Sequence, residues 1–293
     1  MAQVLLEEKN MSSQIHWFPG HMNKALNEVE NKVKLVDVVI ELLDARAPLS
    51  SINENLEKVI QNKKRLIVLT KIDLADPIVT KEWVEFLKKE YGSILTLDLK
   101  NSGAEAILAK AVVNLGKDKW DKEIAKGMKP QPIRAMIIGI PNVGKSSLIN
   151  RIAKRKAAGV QNKPGYTRGE QWIKVNRDFL LLDTPGILPM SYEDQKKAAN
   201  LALIGAIRED ILPNEVLGER LLDYLRKEYP SALFGRFNIE SIGDRISVLN
   251  QIADKRKLVD SVGQNDLLRA EALLLKEFKD GLLGNITLEK YGA

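Results

Sequence analysis

The sequence predicts an α/β fold with a mostly parallel sheet, followed by an all-α region. Three observations carry that prediction. Apolar runs of strand length alternate with helical stretches up to residue 183, the pattern of βαβ units, whereas from Tyr192 onward only helical periodicity is seen. The stretch Gly139-Ile-Pro-Asn-Val-Gly-Lys-Ser-Ser147 fits G-x-x-x-x-G-K-[ST], between an apolar run at 134–140 and a helical run at 147–152. Gly127-Met-Lys-Pro-Gln-Pro132, rich in proline and glycine, reads as a linker just ahead of that unit.

The elements follow in order. Residues 1–13 are expected to be loosely ordered, and Trp17-Phe-Pro-Gly-His-Met22 precedes a helix running to about Lys34. Residues 36–43 read as a buried strand, 44–50 as a loop, and about 53–62 as a helix. A strand at 64–70, a helix at about 80–91 and a short strand at 94–97 come next. Residues 104–126 are helical with a break expected at Gly116, because glycine weakens a helix interior. Residues 171–175 and 178–183 form a hairpin turning near Asn176-Arg177. Later helices are expected at 193–209, 215–228, 239–255 and 265–280. The expected domains are 1–190, with an N-terminal extension at 1–22, and a helical domain at 191–293.

Composition narrows the function. The formal net charge is +6, and it is uneven. Residues 1–190 hold 30 basic and 22 acidic side chains, residues 191–293 hold 15 and 17. The basic excess lies with the glycine-rich loop, which favours a polyanionic partner such as nucleic acid. The chain has no cysteine, which excludes disulfides, thiolate metal sites and cysteine nucleophiles, and suits a reducing cytoplasm. No apolar run approaches the ~18 residues of a membrane span. The N-terminus lacks the apolar core of a signal peptide.

The loop motif implies phosphate chemistry. Backbone N–H groups around Asn142, Val143, Gly144, Lys145, Ser146 and Ser147 would cradle phosphates at a helix N-terminus. Lys145 would reach the β- and γ-phosphates, and Ser146 would ligate Mg²⁺. At another strand end, Asp183-Thr-Pro-Gly186 offers a carboxylate to hold Mg²⁺ through water and the Gly186 N–H for the γ-phosphate. In Thr70-Lys-Ile-Asp73, the Asp73 carboxylate could accept from N1 and N2 of guanine, while Lys71 lies along the base. Thr167, in Pro164-Gly-Tyr-Thr-Arg-Gly169, could close over Mg²⁺ when a γ-phosphate is present.

Jointly these motifs resemble the boxes of a Ras-like GTPase, but out of order. Thr70–Asp73 comes first, a second base-contacting loop near 99–102 follows, and the phosphate loop is third. That is a circular permutation, with the linker at 127–132 as the rejoining point. In Trp17-Phe-Pro-Gly-His-Met22, Asp44-Ala-Arg46, Thr70–Asp73, Gly139–Ser147, Thr167 and Asp183–Gly186, the sequence resembles the ribosome biogenesis GTPase A (YlqF) group of circularly permuted, Ras-like P-loop GTPases. Thr70 departs from that group's usual asparagine. The resemblance implies a cytoplasmic monomer that binds GTP/GDP and Mg²⁺, hydrolyses GTP, and matures the large (50S) ribosomal subunit through rRNA and ribosomal proteins. Asn142 stands where related GTPases coordinate K⁺.

Ras-like enzymes follow Asp-x-x-Gly with a water-orienting glutamine, whereas here Ile187 and Leu188 follow. His21 is the candidate catalytic group, with packing or RNA contact as its alternative, and the ribosome or K⁺ as other sources of activation. Lys154-Arg-Lys156, Lys163 and Arg168 form a basic patch suited to RNA phosphates. Trp17 and Phe18 could stack on bases, or simply anchor the N-terminus. Two alternatives stand beside the assembly-factor reading: a nucleotide-gated binding module with negligible turnover, and a GTPase acting on another RNA or the small subunit.

Overall fold

The computed structural model describes residues 21–157, 172–184, 186–188, 194–207 and 213–291, with the side chains of 21, 22 and 153–157 outside the description. Trp17, Phe18, Lys163, Thr167, Arg168 and the proposed domain boundary at 190 lie outside the described residues.

The described residues open with α1 (His21–Val33), β1 (Val38–Asp44), two short helices, α2 (Pro48–Ser51) and α3 (Glu54–Ile60), and β2 (Lys64–Thr70). Next come α4 (Pro77–Tyr91), β3 (Ile94–Thr96), α5 (Ala104–Ala125), β4 (Ile133–Gly139), α6 (Lys145–Ala157), β5 (Trp172–Lys174) and β6 (Phe179–Leu182). The six strands lie in the order β3-β2-β1-β4-β6-β5. All neighbours are parallel except the β5–β6 hairpin. β1 is buried along its whole length, as a central parallel strand covered on both faces must be. Its side chains alternate: Val38, Ile40 and Leu42 join the cluster containing α5 residues Leu108 and Val112, while Val39 meets Val29 of α1 and Leu56 of α3. β1 and β4 pair side by side although the 127–132 linker separates their halves of the chain. The permuted order is thus built into the middle of the sheet.

Several boundaries differ from the sequence expectation. α4 begins at Pro77, three residues early, because Asp76 caps it by accepting from Ile78 N and Val79 N and proline suits the first turn. Pro48–Ser51 forms a helical turn inside the expected loop, its N-terminus held by the distant Glu289. α5 is unbroken at Gly116. That glycine is a packing device, since a Cβ there would stand 2.8 Å from Ile133 Cγ2. Gly116→Ala is therefore expected to destabilise the fold by about 1–3 kcal/mol through overpacking, despite alanine's better helix propensity. Chemical denaturation checks this, and a stabilised variant would refute it.

Among the described residues five more helices follow: α7 (Gln195–Leu203), α8 (Asn214–Glu228), α9 (Pro230–Phe237), α10 (Arg245–Arg256) and α11 (Leu267–Lys279). α9 was not expected from sequence. It stops at Asn238, in the left-handed region at φ 53°, and α10 starts only after the Asp244 cap, six residues later than the periodicity suggested. α7 ends at Leu203 before Gly205, at φ 77°. A single buried cluster runs from the sheet through α5 and α6 into α7–α11. The segment after α11 returns to the sheet layer: Ile286 N donates to Leu74 O (3.0 Å), Leu288 N to Arg46 O (2.7 Å), and Trp83 Nε1 to Glu289 O (2.8 Å). Among the described residues no helix is long and apolar enough to cross a membrane.

Candidate active site

The carboxyl ends of β1, β2, β4 and β6 each lead into a loop carrying one of the motifs, and in open α/β sheets that edge is where ligands bind. After β4 the chain turns through Gly139 (φ 148°), Asn142 (φ 58°) and Gly144 (φ 110°), so two glycines supply conformations that side chains rarely adopt. A Cβ on Gly139 would also lie 2.7 Å from Leu42 O. Val143 is buried beneath the loop while Ser146 and Ser147, in the first turn of α6, are exposed. The Lys145 ammonium is buried and donates to Gly139 O (3.0 Å) and Ile140 O (2.7 Å).

Burial pushes the Lys145 ammonium down to about 8 from 10.5, with Asp183 acting in the opposite direction. Because the folded pKa lies below the ordinary value, the unfolded chain holds more protons between about 8 and 10.5, and the ligand-free fold gains stability as pH rises through that window. Phosphate binding favours the ammonium. GDP affinity is therefore expected to fall above pH ~8, by up to about tenfold per unit. Calorimetry in buffers of different ionisation enthalpy should show proton uptake near pH 8.5, and a pH-independent affinity with no uptake would contradict the assignment.

β6 delivers Asp183 to the same edge. Its carbonyl accepts from Lys32 of α1 (3.2 Å), and the Thr184 hydroxyl bonds Ile137 O of β4. Gly186 packs so closely on the phosphate loop that a Cβ would meet Pro141 Cα and Lys145 Nζ at 3.0 Å each. Ile187 N donates to Gly139 O (3.2 Å), and Ile187 and Leu188 are buried. For Mg²⁺, the Ser146 hydroxyl and Asp183 carboxylate are hard oxygen donors, both exposed, with Asp183 near enough to influence Lys145. These residues fit the ion, which would neutralise phosphate charge there.

The loop that carries Lys71 and Asp73 follows β2. Thr70 is fully buried, its hydroxyl within hydrogen-bonding distance of Leu43 O (3.1 Å) and Val143 O (2.7 Å). It therefore braces the loop against the phosphate loop instead of facing outward. Lys71 adopts φ 54° and pairs with Asp44 (2.9 Å). Lys100 reaches Asp73 (2.6 Å), which brings the predicted 99–102 loop beside it. Arg151 of α6 holds that second loop by donating to Leu99 O and to Asn101 O (2.7 Å).

Asp44-Ala-Arg46 gains a role that the sequence left open. Arg46 grips the buried Asp44 through its backbone N (3.0 Å), Nε (3.0 Å) and Nη2 (2.9 Å). Arg46 also donates to Ile204 O (3.3 Å) and stands over the Phe278 ring at 5.7 Å, so the motif joins the loop after β2 to the helical region. Asn142 donates its Nδ2 to Gly205 O (2.7 Å), a second link to that region. His21 heads α1. Four residues link this helix to β1, and the His21 side chain lies outside the described residues. Of the basic patch, Lys154, Arg155 and Lys156 fall in α6 with side chains outside the description. Sequence reasoning missed Lys100 and the Asp44–Lys71 pair, since no spacing rule connects them.

Comparison with known proteins identifies the family. The family model described as 50S ribosome-binding GTPase matches residues 134–227. Ribosome biogenesis GTPase A of Bacillus cereus is 42% identical over 276 residues, covering 94% of this chain and 93% of that protein. Mitochondrial ribosome-associated GTPase 1 of Mus musculus is 34% identical, covering 94% of this chain and 90% of that protein. The crystal structure of GNP-bound YlqF from T. maritima is similar with a TM-score of 0.64 and 27% identity, covering 91% of this chain and 98% of that one. The chain belongs to the ribosome biogenesis GTPase A (YlqF) family of circularly permuted P-loop GTPases.

Proposed function

We propose that this GTPase is an assembly factor that binds the precursor of the large ribosomal subunit and promotes its late maturation, with GTP hydrolysis timing its action. The observation that supports it is the meeting of phosphate loop, Asp183–Gly186 and base-reading loop on one sheet edge that is bonded directly to the helical region through Arg46 and Asn142. A nucleotide-dependent change at that edge reaches the helical surface over a few hydrogen bonds. In this reading Lys145 and the loop N–H groups hold the phosphates, Ser146, Asp183 and Thr167 hold Mg²⁺, and Asp73 with Lys71 reads guanine. The Asn142 Oδ1 is proposed to accept K⁺, and His21 to help orient water, because buried Ile187 and Leu188 cannot.

The test is GTP turnover in K⁺ and in Na⁺, each with and without purified large subunits. Stimulation by large subunits supports the assembly-factor reading, and stimulation confined to K⁺ supports the Asn142 role. Tight nucleotide binding with no stimulation under any condition would favour a nucleotide-gated binding module, and stimulation by small subunits a different target.

A further inference from the structure

We propose that Asn285, with Ile286 and Thr287, is a positioning clamp on the guanine-reading loop, so that base affinity and discrimination depend on a segment beyond the last helix. The inference rests on Asp73 being the base reader. Three consecutive carbonyls of that loop accept from the C-terminal segment. Asn285 Nδ2 donates to Asp73 O (3.2 Å) and Ala75 O (2.9 Å), and Ile286 N donates to Leu74 O (3.0 Å). Asp76 N in turn donates to the Thr287 hydroxyl (3.0 Å), and the Tyr229 hydroxyl reaches the Asp76 carboxylate (3.2 Å). Within the loop itself, Leu74 N bonds Lys71 O (2.9 Å). Gly281, at φ 75°, lets the chain pass so close that a Cβ there would lie 2.5 Å from Leu74 Cδ2.

The clamp is itself anchored. Thr287 is fully buried, its carbonyl accepts from the Tyr224 hydroxyl of α8 (2.7 Å), and the next residue, Leu288, bonds Arg46 O (2.7 Å). A carboxylate that must meet two adjacent N–H groups of one base works only if its backbone is held within about half an ångström. Here that backbone is held from 212 residues away in sequence. Linkage makes the coupling reciprocal: whatever shifts the helical region alters guanine affinity, and bound guanine nucleotide tightens the clamp.

Asn285 is exposed, so its replacement is compatible with folding. The experiment measures GDP, IDP and XDP affinities by calorimetry at low temperature for the wild type, Asn285→Ala, Asn285→Asp and Asp73→Asn. Inosine lacks the N2 amino group, so the GDP-to-IDP ratio reports how well Asp73 is aimed. With Asn285→Ala, GDP affinity should fall about 3–10-fold, the value of one or two lost hydrogen bonds, and the ratio should fall at least about twofold. Asn285→Asp keeps the shape but loses both donors, and should act in the same direction. A ratio unchanged in both variants, even with a lower melting temperature, would overturn the clamp and leave a purely structural role. Asp73→Asn checks the underlying reading separately: without a shift of preference toward XDP, the assignment of Asp73 itself would fall.

Discussion

Arg46→Ala is expected to lower the free energy of unfolding by about 3–5 kcal/mol, because it strips the principal partner from a carboxylate with no access to water. Asp44 is 0% exposed and Arg46 3%. Burial alone would raise the Asp44 pKa, but Arg46 and then Lys71 outweigh it and hold the carboxyl below the usual aspartate range. A depressed carboxyl pKa contributes stability that is present above the unfolded value and is lost as pH falls through the folded one. The variant should therefore also lose part of the acid sensitivity of the wild type. Urea unfolding followed by tryptophan fluorescence measures both effects, and a loss below about 1 kcal/mol would refute the account. Lysine should not restore stability, since it lacks the planar fork that gives Nε and Nη2 their two bonds to Asp44. Because the Arg46 side chain also donates to Ile204 O, the same variant should loosen the helical region. Hydrogen exchange at 200–207 would show it.

Asp73→Asn should cut GDP affinity by about 100-fold or more and create a preference for xanthine nucleotides. A carboxylate accepts from both N1 and N2 of guanine, whereas an asparagine amide would set a donor against a donor. Xanthine carries a carbonyl at that position and accepts the amide N–H. Lys100, which pairs with Asp73 at 2.6 Å, is highly exposed and gives this pair little energy to hold against a base. Competition calorimetry with GDP and XDP decides the matter, and GDP affinity within about threefold of the wild type would remove Asp73 from the role.

The loop at Gly139–Ser147, the strand at Lys64–Thr70 and the hairpin ahead of Asp183 were legible because each is encoded within a few residues: a motif, an apolar run, a turn. Permutation was legible for the same reason, since it is only the order of local signals. Helix ends were less so. Asp76 and Asp244 cap helices whose starts apolar periodicity alone misplaced, and Gly116 read as a helix break when it is a close contact with Ile133.

By itself the sequence determined the fold class, the order of the boxes and the identity of the groups available for chemistry. Only the tertiary structure decided what those groups do to each other. It turned Thr70 onto Val143 O, set Lys71 and Arg46 on one carboxylate, brought Lys100 to Asp73, and laid Asn285 across the loop after β2. The reason is physical. Backbone conformation and periodicity are short-range properties that a few residues fix. Hydrogen-bond partners at a sheet edge depend on which strands become neighbours and where a distant segment is packed, and no local pattern carries that information.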